Sequence, residues 1–119
     1  MIASVVLTLA APAAAVEAPR LLRLPSAYER AMAYPSHASE RQLDGRAVLR
    51  CRVTSIGTAA DCSVKSETPA GQGFGQAAMS LRSRLRFTPP TGGQDPWVEI
   101  PLNFEGAWRK ALREGDPNR

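Results

Sequence analysis

The sequence predicts an α+β domain, and three observations carry that prediction. Apolar and polar side chains alternate at a spacing of two from Arg46 to Ser66 with one interruption, the pattern of a β-hairpin. A second alternating run, Val98, Ile100, Leu102 and Phe104, gives a third strand. Between them Phe74, Ala77, Ala78 and Leu81 recur at helical spacing, the apolar stripe of a helix that covers a sheet.

Residues 1–15 form an apolar stretch ending in Ala13, Ala14 and Ala15, the pattern of a secretory signal peptide cleaved after Ala15. Pro12, Glu17 and Arg20 interrupt the run before the roughly 20 apolar residues that a membrane span needs. The alternative is an inner-membrane anchor through residues 1–16. Residues 16–33 read as a leader, in which Pro19 and Pro25 bracket Arg20 to Leu24 and Ser26 to Glu29 offers a capping box for a brief helix. Pro35 holds Tyr34 extended, Ser36 caps a second helix to about Leu43, and Gly45 is its left-handed exit.

In the hairpin, Ala47, Leu49, Cys51 and Val53 alternate with Val48, Arg50, Arg52 and Thr54. The returning strand places Ala60, Cys62, Val64 and Ser66 on one side and Asp61, Ser63 and Lys65 on the other. A turn centred on Ile56 and Gly57 sets Cys51 opposite Cys62 and Arg52 opposite Asp61. Two facing cysteines in an oxidising compartment point to a structural disulfide, which would contribute about 3 kcal/mol in the chain-entropy model. The alternative is a pair of inward-facing thiols. A Pro/Gly-rich loop over 67–73 leads to the covering helix, whose end carries Arg82 and Arg84 in favourable dipole positions. Leu85 to Phe87 alternates briefly before the Pro/Gly loop 88–93, and Pro101, which has no N–H, marks the last strand as an edge. Residues 105–119 hold a short amphipathic helix, with Ala107, Trp108, Ala111 and Leu112 on its apolar side, and a polar tail.

The net charge of +4 favours anionic partners such as acidic protein faces or lipid headgroups. Export makes nucleic acid the weakest candidate, and the chain carries no helix-turn-helix, zinc-finger or aromatic RNA-binding signature. Arg50 and Arg52 on the outer face, with Arg82, Arg84 and Arg86 after the helix, are either solvated or steer an acidic segment or a lipid surface. His37 is the single histidine, so no histidine triad or multi-histidine metal site can form. The two cysteines match neither a Cys-x-x-Cys redox pair nor a zinc set. Gly71-Gln72-Gly73-Phe74-Gly75 lacks the lysine of a phosphate loop. No catalytic residue, metal site or cofactor is expected.

Tyr34-Pro35 with Ala38, Gly45 opening the first strand, Gly57 in the turn, and Val64 and Ser66 closing the second strand form an ordered series with Ala77-Ala78, Phe87 with Pro89, and a last strand ending Ile100-Pro101-Leu102-Asn103-Phe104. Over residues 34–104 this series resembles the C-terminal domain of the TonB energy-transducer family. The resemblance implies a three-stranded antiparallel sheet with two helices packed on one face, and a periplasmic protein that binds outer-membrane transporters. It also implies that an extended transporter peptide adds beside the last strand by backbone hydrogen bonding. Trp97, Val98, Glu99, Ile100, Leu102 and Asn103 are then the partner-binding residues, with Trp97 the exposed aromatic anchor on the parity of Glu99 and Asn103. In the competing view the apolar residues are core alone and the Trp108 tail covers the edge.

Full energy transducers also carry an uncleaved membrane helix, which engages a proton-driven motor, and a long Pro-rich spacer. Residues 16–33, at about 3.1 Å each when extended, are too short to cross a periplasm, so force transmission is not expected. The polar contact residue that the family places before the Tyr-Pro pair is Ala33 here. The expected partner is a transporter peptide or another envelope protein. The alternative is an anchor-less adaptor or a module that self-associates as a homodimer through its edge strands.

Overall fold

A computed structural model describes residues 18–114 together with Ser4. Apart from Ser4, the signal peptide read over residues 1–15 and the polar tail beyond 114 lie outside the described residues. The chain folds as an α+β domain. In order, the elements are β1 (Leu21–Arg23), α1 (Ala27–Met32), α2 (Ser36–Glu40), β2 (Arg46–Val53), β3 (Ala59–Thr68), α3 (Phe74–Ser80), a 3₁₀ turn (Arg82–Arg84), β4 (Arg86–Phe87), β5 (Trp97–Asn103) and α4 (Ala107–Glu114). The main sheet is antiparallel with order β3-β2-β5, and β1 pairs with β4 in a separate two-stranded ribbon.

β2 is the central strand, and its alternation divides the sheet. Ala47, Leu49, Cys51 and Val53 are buried, while Arg46 and Arg50 are exposed on the opposite face. α3 lies across the buried face over β2 and β3, contributing Phe74, Ala77 and Ala78, with Leu81 just beyond its end. Tyr34, Phe74 and Phe104 meet edge to face or tilted, with ring centroids 5.5 to 6.0 Å apart. This aromatic trio joins the start of α2, the start of α3 and the end of β5 into one core.

The register of β2 and β3 departs from a simple hairpin. Arg50 faces Ser63 and Leu49 faces Val64, but Arg52 faces Ala60 rather than Asp61, and Val48 faces Ser66. Two bulges account for the shifts. One sets Asp61 and Cys62 against Cys51, with Asp61 in the left-handed region at φ 51°, and the other leaves Lys65 as an extra residue. Each bulge moves the side chains beyond it to the other face of β3. Ala60 and Ser66 therefore share the outer face with Ser63, against the alternation read from sequence, and Glu67 turns inward. Val64 stays on the inner face beside Gly75 but at the sheet margin, where it is 41% exposed. The Cys51 and Cys62 sulfurs are bonded, with Cα atoms 4.1 Å apart.

The inward turn of Glu67 has a structural consequence. Its carboxylate accepts from the Gly75 N–H at 2.6 Å, an orphan donor in the first turn of α3, and from the Gly71 N–H of the preceding loop at 3.1 Å. The glycine-rich loop thus has an internal anion in place of a phosphate.

α1 begins with the expected capping box: Ser26 Oγ accepts from the Glu29 N–H, and Glu29 returns the bond to the Ser26 N–H. α2 ends earlier than its sequence suggests. The Leu43 N–H donates to the Ala38 carbonyl at 2.8 Å and the Gln42 N–H to Ser39 at 3.0 Å, a Schellman closure with Gln42 at φ 54°. Gln42, not Gly45, is the left-handed exit. Gly45 is required for another reason: a Cβ there would fall within the ring of Phe74.

β1 lies in the segment that sequence alone gives no strand. Leu21 pairs with Phe87 and Arg23 with Arg86, while the Phe87 N–H donates to the Gly57 carbonyl at 2.8 Å. Gly57, at φ 81°, allows this approach, since a Cβ there would collide with the Phe87 carbonyl.

Candidate functional site

β5 has a strand on one side only. In an antiparallel pair, alternate residues turn both backbone groups toward the neighbour. The Val53 N–H donates to the Pro96 carbonyl at 2.8 Å and the Phe104 N–H to the Gly45 carbonyl at 2.9 Å. With the register Leu49 to Ile100, this assigns Val98, Ile100 and Leu102 to the β2 ladder. Trp97, Glu99, Pro101 and Asn103 consequently turn their backbone groups to the open edge. Pro101, which has no N–H, occupies a position where none is needed by the sheet.

The six residues singled out from sequence therefore fall into two sets. Val98, Ile100 and Leu102 point their side chains to the core, half-buried in the first case and buried in the others. Trp97, Glu99 and Asn103 are exposed on the outer face. The Arg50 guanidinium lies over the Trp97 ring at 4.5 Å, which holds the indole while leaving 46% of the residue exposed. Glu99 pairs with Lys65 across the sheet. Arg52 bonds Asp61 through Nε at 2.8 Å and reaches Asp95 through Nη1. The hydrogen bond to Asp61, seconded by Asp95, raises the Arg52 pKa further and keeps the guanidinium charged.

The C-terminal helix does not lie along this edge as a hydrogen-bonded cover. α4 packs against α1 and α2. Its start is pinned by Asp44, whose Oδ1 accepts from the Gly106 N–H and from Trp108 Nε1, both at 2.9 Å. One residue missed by sequence reasoning does touch the edge: Arg30 of α1 donates through Nη1 to the Asn103 carbonyl at 2.7 Å. Nothing in its helical spacing singles it out, because the contact joins positions 73 apart.

Tyr34 anchors the core beneath this end. Its hydroxyl donates to the Leu43 carbonyl, and burial, with the nearby Asp44 charge, pushes its pKa up to about 12. Glu29 is held below the usual carboxylate range, chiefly by the Ser26 backbone N–H, with Arg23 and Arg84 adding attraction. Among the described residues no group of acidic, histidine or cysteine side chains is arranged to hold a metal ion.

The family model for the Gram-negative bacterial TonB protein C-terminal matches residues 30–105. The chain belongs to this family. The solution NMR structure of the Pseudomonas aeruginosa TonB C-terminal domain aligns with 73% of this chain and 83% of its own, at 22% identity and a TM-score of 0.48. No curated protein matches the sequence. The TonB match spans α2 through β5 and includes Arg30, the aromatic trio and the open edge. No helix among the described residues is long and apolar enough to cross a membrane.

Proposed function

We propose that this TonB C-terminal domain acts in the periplasm as an exported, non-catalytic binding module that takes up an extended segment of an outer-membrane transporter by strand addition to β5. The observation that carries the reading is the open edge itself: the Trp97 and Glu99 N–H and C=O groups and the Pro101 carbonyl face away from β2 with no described partner. Main-chain bonds to these groups supply affinity, and the side chains flanking them supply selection. Trp97, stacked by Arg50, is the preorganised aromatic contact at one end, and Arg30 closes the other at Asn103. Export of the mature domain by residues 1–15 belongs to the same reading.

The test is a titration of isotope-labelled protein with peptides copied from the N-terminal segments of outer-membrane transporters. Amide shifts and new exchange protection centred on Trp97 and Glu99 are expected. Shifts confined to β3 and α3, or none, would contradict the assignment.

A further inference from the structure

We infer that the β1–β4 ribbon is a docking surface for an anionic lipid bilayer, independent of the edge of β5. Leu21, Leu22 and Leu24 are 40%, 64% and 48% exposed, an apolar segment broken only by Arg23. Strand β1 is too short to hide them, and its pairing to β4 uses backbone rather than side chains. Single exposed leucines are ordinary, but three within four residues, Leu21 and Leu22 on β1 and Leu24 just past its end, mark an interaction surface.

Arginines surround them. Arg20 precedes the strand and makes no ion pair with another described residue. Arg23 lies directly across from Arg86, a like-charge pair that costs energy unless an anion lies nearby. Glu29 bonds Arg23 at 3.2 Å and Arg84 at 2.9 Å, fixing both guanidinium groups while leaving their side chains more than half exposed. It is the one carboxylate bonded to this cluster among the described residues, so the surface stays strongly positive.

The two features together select the partner. A soluble polyanion or an acidic protein face would satisfy the arginines and leave the leucines in water. A bilayer interface takes both, with headgroup phosphates on the guanidinium forks and leucine side chains at the acyl boundary.

The experiment measures partitioning of the full chain onto phosphatidylcholine vesicles with and without phosphatidylglycerol. Binding should require the anionic lipid and weaken as salt rises. Arg20→Gln should reduce it roughly fivefold, from about 1 kcal/mol per basic side chain near an anionic surface. Leu22→Ser should reduce it by about tenfold through lost apolar contact, and Arg41→Gln, just past the end of α2, should leave it unchanged. Equal binding to both vesicle types, or binding indifferent to Arg20 and Leu22, would overturn the proposal. Binding to heparin with the same arginine dependence but no Leu22 dependence would also overturn it, and would assign the face to an acidic soluble partner. Circular dichroism checks the variants, and the lipid and salt dependence of the unaltered protein decides if either fails to fold.

Discussion

Arg30 closes one end of the open edge of β5: its Nη1 donates to the Asn103 carbonyl at 2.7 Å. The same contact ties α1 to the sheet, so a single side chain both braces the fold and limits how far a docked strand can pair. Arg30→Ala should lower stability by about 1 kcal/mol in urea denaturation, the loss of one charge-assisted bond near solvent. Affinity for an extended peptide should be unchanged or higher, because an acceptor is freed. A large loss of affinity at near-normal stability would mean that Arg30 contacts the partner instead.

Gly45 and Phe74 make a second prediction. The ring of Phe74, fully buried, occupies the space where any Cβ at position 45 would stand. Gly45→Ala should therefore destabilise the domain by about 2–3 kcal/mol, the cost of overpacking a core that cannot shift. Backbone freedom does not explain this loss, since Gly45 lacks a positive φ. Gly71→Ala offers the contrast, with no atom within 4 Å of the new Cβ but a φ of 75°. Its cost should be smaller and conformational, about 1 kcal/mol.

Tyr34 predicts the alkaline limit of stability. Its folded pKa of about 12 lies above the ordinary value of 10.0, so the folded state retains the proton where the unfolded chain has lost it. Its contribution is complete below pH 10 and is lost as pH rises toward 12. A Tyr28→Phe background leaves Tyr34 as the sole tyrosine. Its phenolate absorbance should then appear near the unfolding transition; titration at the ordinary value in folded protein would contradict the buried bond to Leu43.

Much of this was legible in sequence. The alternation of Ala47 to Val53, the stripe from Phe74 to Leu81 and the Pro101 edge signal all depend on neighbours within one element, where side-chain period reports burial directly. The capping box at Ser26 and Glu29 is local in the same way. The two bulges of β3 were not, because their sequence shows only an unbroken alternation, and the left-handed Asp61 has no glycine to announce it. Facing of the cysteines survived because the first bulge lies beside them, whereas Arg52 lost Asp61 as its cross-strand neighbour and kept it as an ion-pair partner. β1 was invisible because its partner Phe87 is more than 60 residues away. At the edge, the parity of Trp97, Glu99 and Asn103 could be read, but the closure by Arg30 could not.

The most direct test of the central claim uses the two faces of β5. Glu99→Pro removes an N–H that points to the open edge, and its neighbour Pro101 already shows that this parity tolerates proline. Ile100→Pro removes an N–H committed to β2 and should unfold the sheet, so it cannot serve as the test. The measurement is calorimetric affinity of Glu99→Pro for a transporter peptide, with its urea midpoint determined alongside. Strand addition at β5 predicts a loss of affinity of about fivefold, the value of one main-chain bond, with stability nearly unchanged; an unaltered affinity in a folded variant would contradict it.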